Sequence, residues 1–187
     1  SRFRNLSGPL TIATPDLYID VQNAASMLFR LERQGIDVGQ RWNELADKAE
    51  ARIGDCLSTF TLPHWMMALA ATKRWAAADR MLDAMREIAS KSEGTAPPLV
   101  RDHALPVCAA IVARAKGDPA GALTLMRPAL LGMEKLGGSH AQQDVLQQLF
   151  LDCAKTAQSA PDAHRVIEHV RKLYAVPPER RRGYALA

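Results

Sequence analysis

The chain has 187 residues and a formal net charge of +4, and its composition is 48% hydrophobic, 24% charged and 5% aromatic. This length is enough for one domain with a sizeable core, while so mild a basic excess lacks the signature of a nucleic-acid-binding protein. The longest apolar run, from about Ala104 to Ala113, is too short to cross a bilayer. We therefore expect neither nucleic acid nor a membrane as a partner.

The three cysteines, Cys56, Cys108 and Cys153, are far apart and odd in number, which is typical of neither a disulfide framework nor a zinc site. Cys108 and Cys153 lie in apolar runs, where a free thiol behaves as a small core residue. Free thiols fit a reducing compartment, and no signal peptide is recognisable, so we expect a cytoplasmic location. The five histidines show no metal-ligand spacing, and we expect no metal and no cofactor.

In the first half of the chain, apolar residues recur with helical spacing, and no stretch shows sustained strand alternation. The first apolar stripe begins near Asp16 and stops before Gly35. Thr61 is expected to cap the third helix at its N-terminus, with Pro63 in the first turn, where its missing N–H costs little. Four helices are predicted here, over residues 16–34, 42–53, 62–69 and 75–90.

The second half continues the helical pattern after a predicted loop over residues 91–98, "KSEGTAPP". Asp118 precedes Pro119, a pair typical of an N-cap and the first helical position. Apolar residues between 122 and 133 predict a helix that runs on to two glycines. The helices predicted here cover residues 105–115, a segment from Pro119 up to the two glycines at 137 and 138, a segment from residue 139 and residues 161–174.

Eight helices would form four hairpins, and the breaks inside these hairpins resemble one another. If Gly35, Lys73, Gly117 and Gln158 are equivalent, the repeat length is 38 to 44 residues, which exceeds the ~34 residues of a tetratricopeptide repeat, or TPR. In three hairpins an alanine follows the break by five residues, where a small side chain lets two helices approach closely: Ala78, Ala122 and Ala163. We predict an all-α, TPR-like α-solenoid over residues 16–175. Residues 1–15 would be a leader or a join to upstream repeats, and residues 176–187 a basic C-terminal tail.

Four stretches of the sequence occur in an order that resembles a known family. They are "DLYIDVQNAASMLFRLERQGIDVGQRW", "HWMMALAATKRW", "VCAAIVARAKGDPAGALTLMRPAL" and "GGSHAQQDVLQQLFLDCA". Together they resemble the C-terminal half of the tetratricopeptide repeat protein 38 family, over about residues 16–173. The resemblance implies an α-helical repeat fold with further repeats upstream, and no well-defined activity. The chain departs from the family at Gln143, where a basic residue is common, and at Leu62 and Pro63, where acidic or amide residues often precede the histidine matched by His64.

The stretch "GGSHAQQD", residues 137–144, concentrates polar groups at a predicted helix start. Gly137 and Gly138 suit a left-handed C-cap of the preceding helix. Ser139 and Gln142 have the spacing of a capping box, in which the hydroxyl accepts from the Gln142 N–H and the amide oxygen accepts from the Ser139 N–H. Four of these eight residues are therefore assigned to structure.

The remaining polar residues of this helix are candidates for a binding site. His140 and Asp144 are four residues apart, as are Gln143 and Gln147, so they lie on one side of the helix. A carboxylate beside an imidazole raises its pKa and orients it, as a general base requires, although a helix surface or an inter-repeat contact uses the same pair. His64 is either a core residue or a ligand-facing one. These five residues form the candidate binding set, and no catalytic residue is assigned.

Two functions from different classes fit these patterns. The first is a non-enzymatic interaction module that holds a protein or peptide partner on the concave surface of stacked helix pairs. The second is a small-molecule binder or enzyme with a polar site around His64, His140 and Asp144, and the fold alone does not choose between them. The basic run over residues 180–182 is expected to be a solvated tail, with contact to phosphate or to a membrane as the alternative.

The first predicted helix carries more apolar residues than a single buried stripe needs. They are Leu17, Tyr18, Ile19, Val21, Met27, Leu28 and Phe29. Upstream repeats or a second copy of the chain would bury them. We therefore expect self-association, as a homodimer, through this helix, with the leader folded back over it as the alternative.

Overall fold

A computed structural model describes residues 18–184, and these residues form nine α-helices and no β-strand. The leader, Leu17 and the expected helix start near Asp16 lie outside the described residues, as do the last three residues of the predicted tail. The helices are α1 (Tyr18–Arg33), α2 (Arg41–Ala51), α3 (Thr61–Ala71), α4 (Trp75–Ala89), α5 (Ala96–Leu99), α6 (Leu105–Ala115), α7 (Pro119–Met126), α8 (His140–Thr156) and α9 (Ala160–Leu173). A π-helical segment, Val100–Ala104, joins α5 to α6, and 3-10 segments cover Leu130–Leu136 and Pro178–Arg180.

The helices pair as four hairpins. Because α5, the π-helical segment and α6 follow one another without a break, they make one continuous helical rod. Residues 18–184 then contain eight main helical segments, paired as α1 with α2, α3 with α4, α5–α6 with α7, and α8 with α9, and the members of each pair are in contact. The all-α prediction is confirmed for the described residues. About eight helices were expected and nine are present there, because the four-residue helix α5 precedes α6.

One turn geometry recurs inside all four hairpins. The residues taken as equivalent from the sequence all have a left-handed backbone, with φ of 73°, 56°, 87° and 53° at Gly35, Lys73, Gly117 and Gln158. In every case the next amide donates to the carbonyl oxygen five positions earlier, at 2.8–3.0 Å. This is the bond that closes a Schellman motif at a helix C-terminus. The predicted equivalence of the four positions is therefore present in the backbone itself.

Helix α3 lies at the centre of the fold. Its sequence, TLPHWMMALAA, contains no aspartate, glutamate, lysine or arginine, and ten of its 11 residues are buried. It contacts α1, α2, α4 and α6. A helix that is apolar on every side belongs inside a core, because no face of it gains from contact with water.

The first and last hairpins also meet, because α1 contacts α8 as well as α3. In a linear repeat array each unit contacts only its neighbours, so the contact between the first and last hairpins is one that a straight array would not make. Three of the apolar α1 residues that predicted self-association, Val21, Leu28 and Phe29, are buried within the same chain. Ile19 and Met27 remain exposed, at 53% and 46% of their surface.

The two predicted helix caps have different outcomes. Asp118 caps α7 as expected, since its carboxylate accepts from the Gly121 N–H at 2.7 Å. The prediction for Thr61 is wrong, because Thr61 is the first residue of α3 and its hydroxyl is engaged elsewhere. That hydroxyl donates to Ser58 Oγ and accepts from Gln22 Nε2, both at 2.8 Å, and so ties α3 to α1.

Two predicted boundaries are also wrong, each for a reason that involves proline. The predicted loop 91–98 ends early, because α5 begins at Ala96 and accommodates Pro97 and Pro98 in its first turn, where no N–H is needed. The helix predicted from Pro119 to the two glycines at 137 and 138 is interrupted, because α7 ends at Met126 and Pro128 lacks the N–H that would continue it. The chain resumes as the 3-10 segment Leu130–Leu136.

Candidate functional site

The predicted capping box is present at the start of α8. The Ser139 hydroxyl accepts from the Gln142 N–H at 3.4 Å, and the Gln142 side-chain oxygen accepts from the Ser139 N–H at 2.9 Å. Gly137 has φ 101° and ψ −162°, and Gly138 has φ 85°, conformations that favour glycine. A Cβ on Gly138 would also lie only 2.4 Å from Phe60 Cε1, so the close approach of the α2–α3 connection requires glycine there.

Two glutamine amides of this stretch hold the surrounding backbone and helices together. Gln143 Nε2 donates to the carbonyl oxygens of Gly137 and Gly138, both at 3.1 Å, and so fixes the turn before α8. Gln142 Nε2 donates to Gln22 Oε1 on α1 at 3.2 Å. Both amides therefore have structural partners, and Gln143 faces its own turn rather than an open site.

The expected pairing of His140 with Asp144 does not form. Between these two described side chains there is no hydrogen bond or ion pair. The exposed His140 ring instead packs edge-on against the Tyr174 ring, with 5.3 Å between the ring centroids. His140 therefore lacks the carboxylate partner that would orient it as a general base.

Asp144 is instead the hub of a hydrogen-bond network between distant parts of the chain. Its Oδ1 accepts from an Arg181 guanidinium nitrogen at 2.6 Å and from the Tyr184 hydroxyl at 2.8 Å. Its Oδ2 accepts from Gln148 Nε2 at 2.6 Å and from an Arg30 guanidinium nitrogen at 3.4 Å. Both carboxylate oxygens are thus occupied, and the side chain joins α8 to α1 and to the C-terminal segment.

His64 and Gln147 are buried and do not face solvent. His64 Nδ1 lies 2.9 Å from the Phe60 carbonyl oxygen, and burial lowers the pKa of the imidazole to about 4, so it is neutral at pH 7. Gln147 Oε1 accepts from the Tyr174 hydroxyl at 3.3 Å. Among the described residues, neither His64 Nε2 nor Gln147 Nε2 has a hydrogen-bond partner. The structure does not bring these two residues to a solvent-facing site with His140.

A cleft of about 660 Å³ lies beside Asp144, between α1, α8 and the C-terminal segment. Nine described residues line it, and five of them are cationic: Arg30, Arg33, Lys155, Arg181 and Arg182. Asp144 is the one carboxylate among these nine. We call this feature the cationic cleft. Cations gathered around a concavity focus a positive potential within it, so the cleft attracts anionic groups.

The C-terminal segment, residues 176–184, is packed against the helices, which corrects the expectation of a solvated tail. Pro178 is buried, and so is Tyr184, which is 2% exposed. The bonds from Arg181 and Tyr184 to Asp144 fasten the segment to α8. Because the segment is fastened in this way, Arg181 and Arg182 become part of the cleft wall.

Sequence reasoning missed Arg30, Arg33 and Lys155 as site residues, and it did not assign Arg181 or Arg182 to a site. The one usable signal was the basic run over residues 180–182, for which phosphate contact was the alternative to a solvated tail. No local pattern indicates that the two ends of the described chain meet. They do meet, since an Arg33 guanidinium nitrogen donates to the Gly183 carbonyl oxygen at 3.3 Å, across 150 positions of sequence.

Metal-binding clusters are not found within residues 18–184, since no three His, Cys, Asp or Glu side chains there are arranged to hold an ion. Burial raises the pKa of all three cysteine thiols, that of Cys153 to about 12, so none is a thiolate at neutral pH. In the same part of the chain, every helix is too short or too polar to span a membrane.

Two comparisons with known proteins found no match. No protein-family model matches the chain. No solved structure matches it either. The class of the protein is defined by its own architecture, an all-α fold of four helical hairpins with a cationic cleft where the first and last hairpins meet.

Proposed function

We propose that this chain is a TPR-like helical-repeat interaction module that binds a protein or peptide partner and catalyses no reaction. The recurrence of one turn geometry in four hairpins supports the repeat assignment. The three alanines placed five residues after the turns, Ala78, Ala122 and Ala163, are buried, as close helix approach requires. The resemblance to the tetratricopeptide repeat protein 38 family belongs to this proposal, and so does a cytoplasmic location, which suits three free cysteines.

The observation that carries the function is the cationic cleft. Stacked helix pairs offer concave surfaces to partners, and here the concavity lies between α1, α8 and the C-terminal segment. Its five cations and single carboxylate favour an acidic segment of the partner. We infer that aspartate and glutamate side chains of an extended peptide occupy the cleft.

The alternative, a small-molecule site or enzyme around His64, His140 and Asp144, has less support from the geometry. His64 is fully buried and is not among the residues that line the cationic cleft. No hydrogen bond or ion pair joins the described side chains of His140 and Asp144, and both Asp144 oxygens already accept hydrogen bonds. A general base needs an oriented proton acceptor that a substrate can reach. Within residues 18–184, the unpartnered His64 Nε2 is buried, His140 has no carboxylate to orient it, and the Asp144 oxygens already accept from the chain's own donors.

Fluorescence anisotropy with fluorescein-labelled hexaglutamate tests the proposal, with hexalysine as the control of opposite charge. Hexaglutamate should bind, more weakly as salt is added, and hexalysine should not. Arg182→Glu, an exposed position that lines the cleft, should weaken binding by roughly tenfold. The matched control is Arg180→Glu, which makes the same charge change two positions earlier and outside the cleft lining. Equal binding by both variants, or no binding of hexaglutamate, would refute the proposed site.

A further inference from the structure

We propose that the cationic cleft selects a phosphate monoester, carried on a serine or threonine of the acidic partner peptide, over a carboxylate. This inference rests on the proposed function and specifies its ligand. It is carried by a charge imbalance in the side chains that form and support the cleft. Two carboxylates there form ion pairs with four guanidinium groups.

The imbalance follows from the ion pairs around α8. Asp144 is paired with Arg30 at 3.4 Å and with Arg181 at 2.6 Å. Asp152 lies eight residues after Asp144 on α8 and is paired with Arg33 at 3.3 Å and with Arg114 at 2.6 Å. Each carboxylate therefore offsets two positive charges with one negative charge.

The excess positive charge is recessed rather than fully solvated. The side chains of Arg33 and Arg181 are only 11% and 20% exposed. Positive charge that is partly withdrawn from water is costly unless anions neutralise it. Arg182 adds a further charge at the cleft, and within the described residues it pairs with no carboxylate. The bound state therefore gains most from a ligand that brings two negative charges to one point.

A phosphate monoester meets this requirement, because it carries a charge of about −1.5 to −2 at pH 7 on three acceptor oxygens. A glutamate or aspartate side chain brings a single charge. Guanidinium groups also match phosphate geometry, since their planar forks donate to two oxygens at once. Arg182 lines the cleft as the candidate contact for the phosphate, while the four paired guanidiniums supply the surrounding field.

The shape of the site favours a peptide over a lipid headgroup as the source of the phosphate. A headgroup stays at the plane of its bilayer and is met by an exposed basic face. The cationic cleft instead lies between two helices and a folded-back segment, with Arg33 recessed in it. An extended peptide can enter such a cleft and place one side chain within it.

Isothermal titration calorimetry with three acidic peptides tests the inference. The peptides are identical glutamate-rich sequences that differ at one central position, which is phosphoserine, glutamate or serine. We expect the phosphoserine peptide to bind roughly tenfold tighter than the glutamate peptide. Arg182→Gln should remove most of that advantage, whereas the matched control Arg180→Gln should keep it. Inorganic phosphate, at millimolar concentration, should compete with the phosphoserine peptide.

The outcomes separate this inference from the proposed function. Equal affinity for the phosphoserine and glutamate peptides would overturn the phosphate preference and leave the acidic-peptide proposal standing. If none of the three peptides binds, both proposals fail. Tighter binding to vesicles that contain 10% phosphatidylinositol phosphate than to the phosphoserine peptide would also overturn the inference, because the phosphate would then come from a membrane. Loss of the preference in Arg180→Gln as well as Arg182→Gln would reject the assignment to the cleft.

Discussion

Replacing Asp144 with asparagine should destabilise the fold by about 3 kcal/mol. The substitution preserves shape but removes the charge and turns one acceptor oxygen into an NH2 group. Whichever oxygen is replaced, the new NH2 faces one guanidinium and one neutral donor, either Arg181 with Tyr184 or Arg30 with Gln148. Losing a hydrogen bond from a charged group costs about 1.5 kcal/mol or more, and losing a neutral one costs about 1 kcal/mol. The arginine that keeps its bond also loses its opposing charge in a site where the carboxylate is only 10% exposed.

Urea unfolding followed by circular dichroism at 222 nm measures this change, provided that the slope of free energy against urea stays constant. Asp47→Asn is the matched control, because Asp47 pairs with Arg74 at 2.5 Å but its side chain is 69% exposed. An exposed pair contributes little, so the control should lie within about 0.5 kcal/mol of the parent protein. Limited trypsin digestion should also cut the Asp144→Asn variant faster within residues 180–182, because the C-terminal segment loses its anchor. If Asp144→Asn is no less stable than Asp47→Asn, Asp144 is not the hub that we describe.

Three further substitutions can be measured in the same urea experiment. Ser139→Ala should cost about 1 kcal/mol, because the Gln142 N–H loses its cap; an unchanged midpoint would show that the capping bond contributes nothing. Gly138→Ala should cost at least about 2 kcal/mol, since a Cβ would meet the Phe60 ring at 2.4 Å in a backbone with φ 85°, and a neutral result would contradict that close approach. The pKa of His64 is about 4 in the folded protein and near 6.5 in the unfolded chain. The unfolded chain therefore takes up a proton first as the pH falls from 6.5 to 4, and the free energy of unfolding should drop by up to about 3 kcal/mol over that range. His64→Gln should flatten the stability profile over that range, and a profile as steep as the parent's would show that another group is responsible.

The parts of the structure that depend on local sequence were predictable. The capping box needs only a serine and a glutamine three residues apart, and both of its hydrogen bonds form. The hairpin breaks needed only a residue able to adopt a left-handed backbone, and glycine at positions 35 and 117 pointed to it. Lys73 and Gln158 adopt the same conformation without being glycine, so there the repeat spacing, rather than residue type, was the informative signal.

The cationic cleft was not predictable, because its geometry depends on contacts between residues far apart in the chain. Asp144 was singled out for its spacing from His140, but three of its four partners come from α1 and from the C-terminal segment, and only Gln148 lies on the same helix. Helix spacing identifies neighbours within one helix and says nothing of which other helix a side chain will meet. The basic run at residues 180–182 likewise contained no sign that Tyr184 would be buried and would hold it against α8.

Stability and ligand binding should be coupled through the C-terminal segment. Docking this segment places Arg181 and Arg182 beside Arg30 and Arg33, and Asp144 offsets only part of the resulting repulsion. An anion in the cleft would offset more of it, so a ligand that binds the docked state stabilises both the segment and the contact between α1 and α8. Asp144→Asn should therefore weaken anion binding even though both Asp144 oxygens already face the chain's own donors, because the cleft wall formed by the segment would be populated for less of the time. The cationic cleft thus depends on the meeting of the first and last hairpins, because its lining residues come from α1, from α8 and from the C-terminal segment.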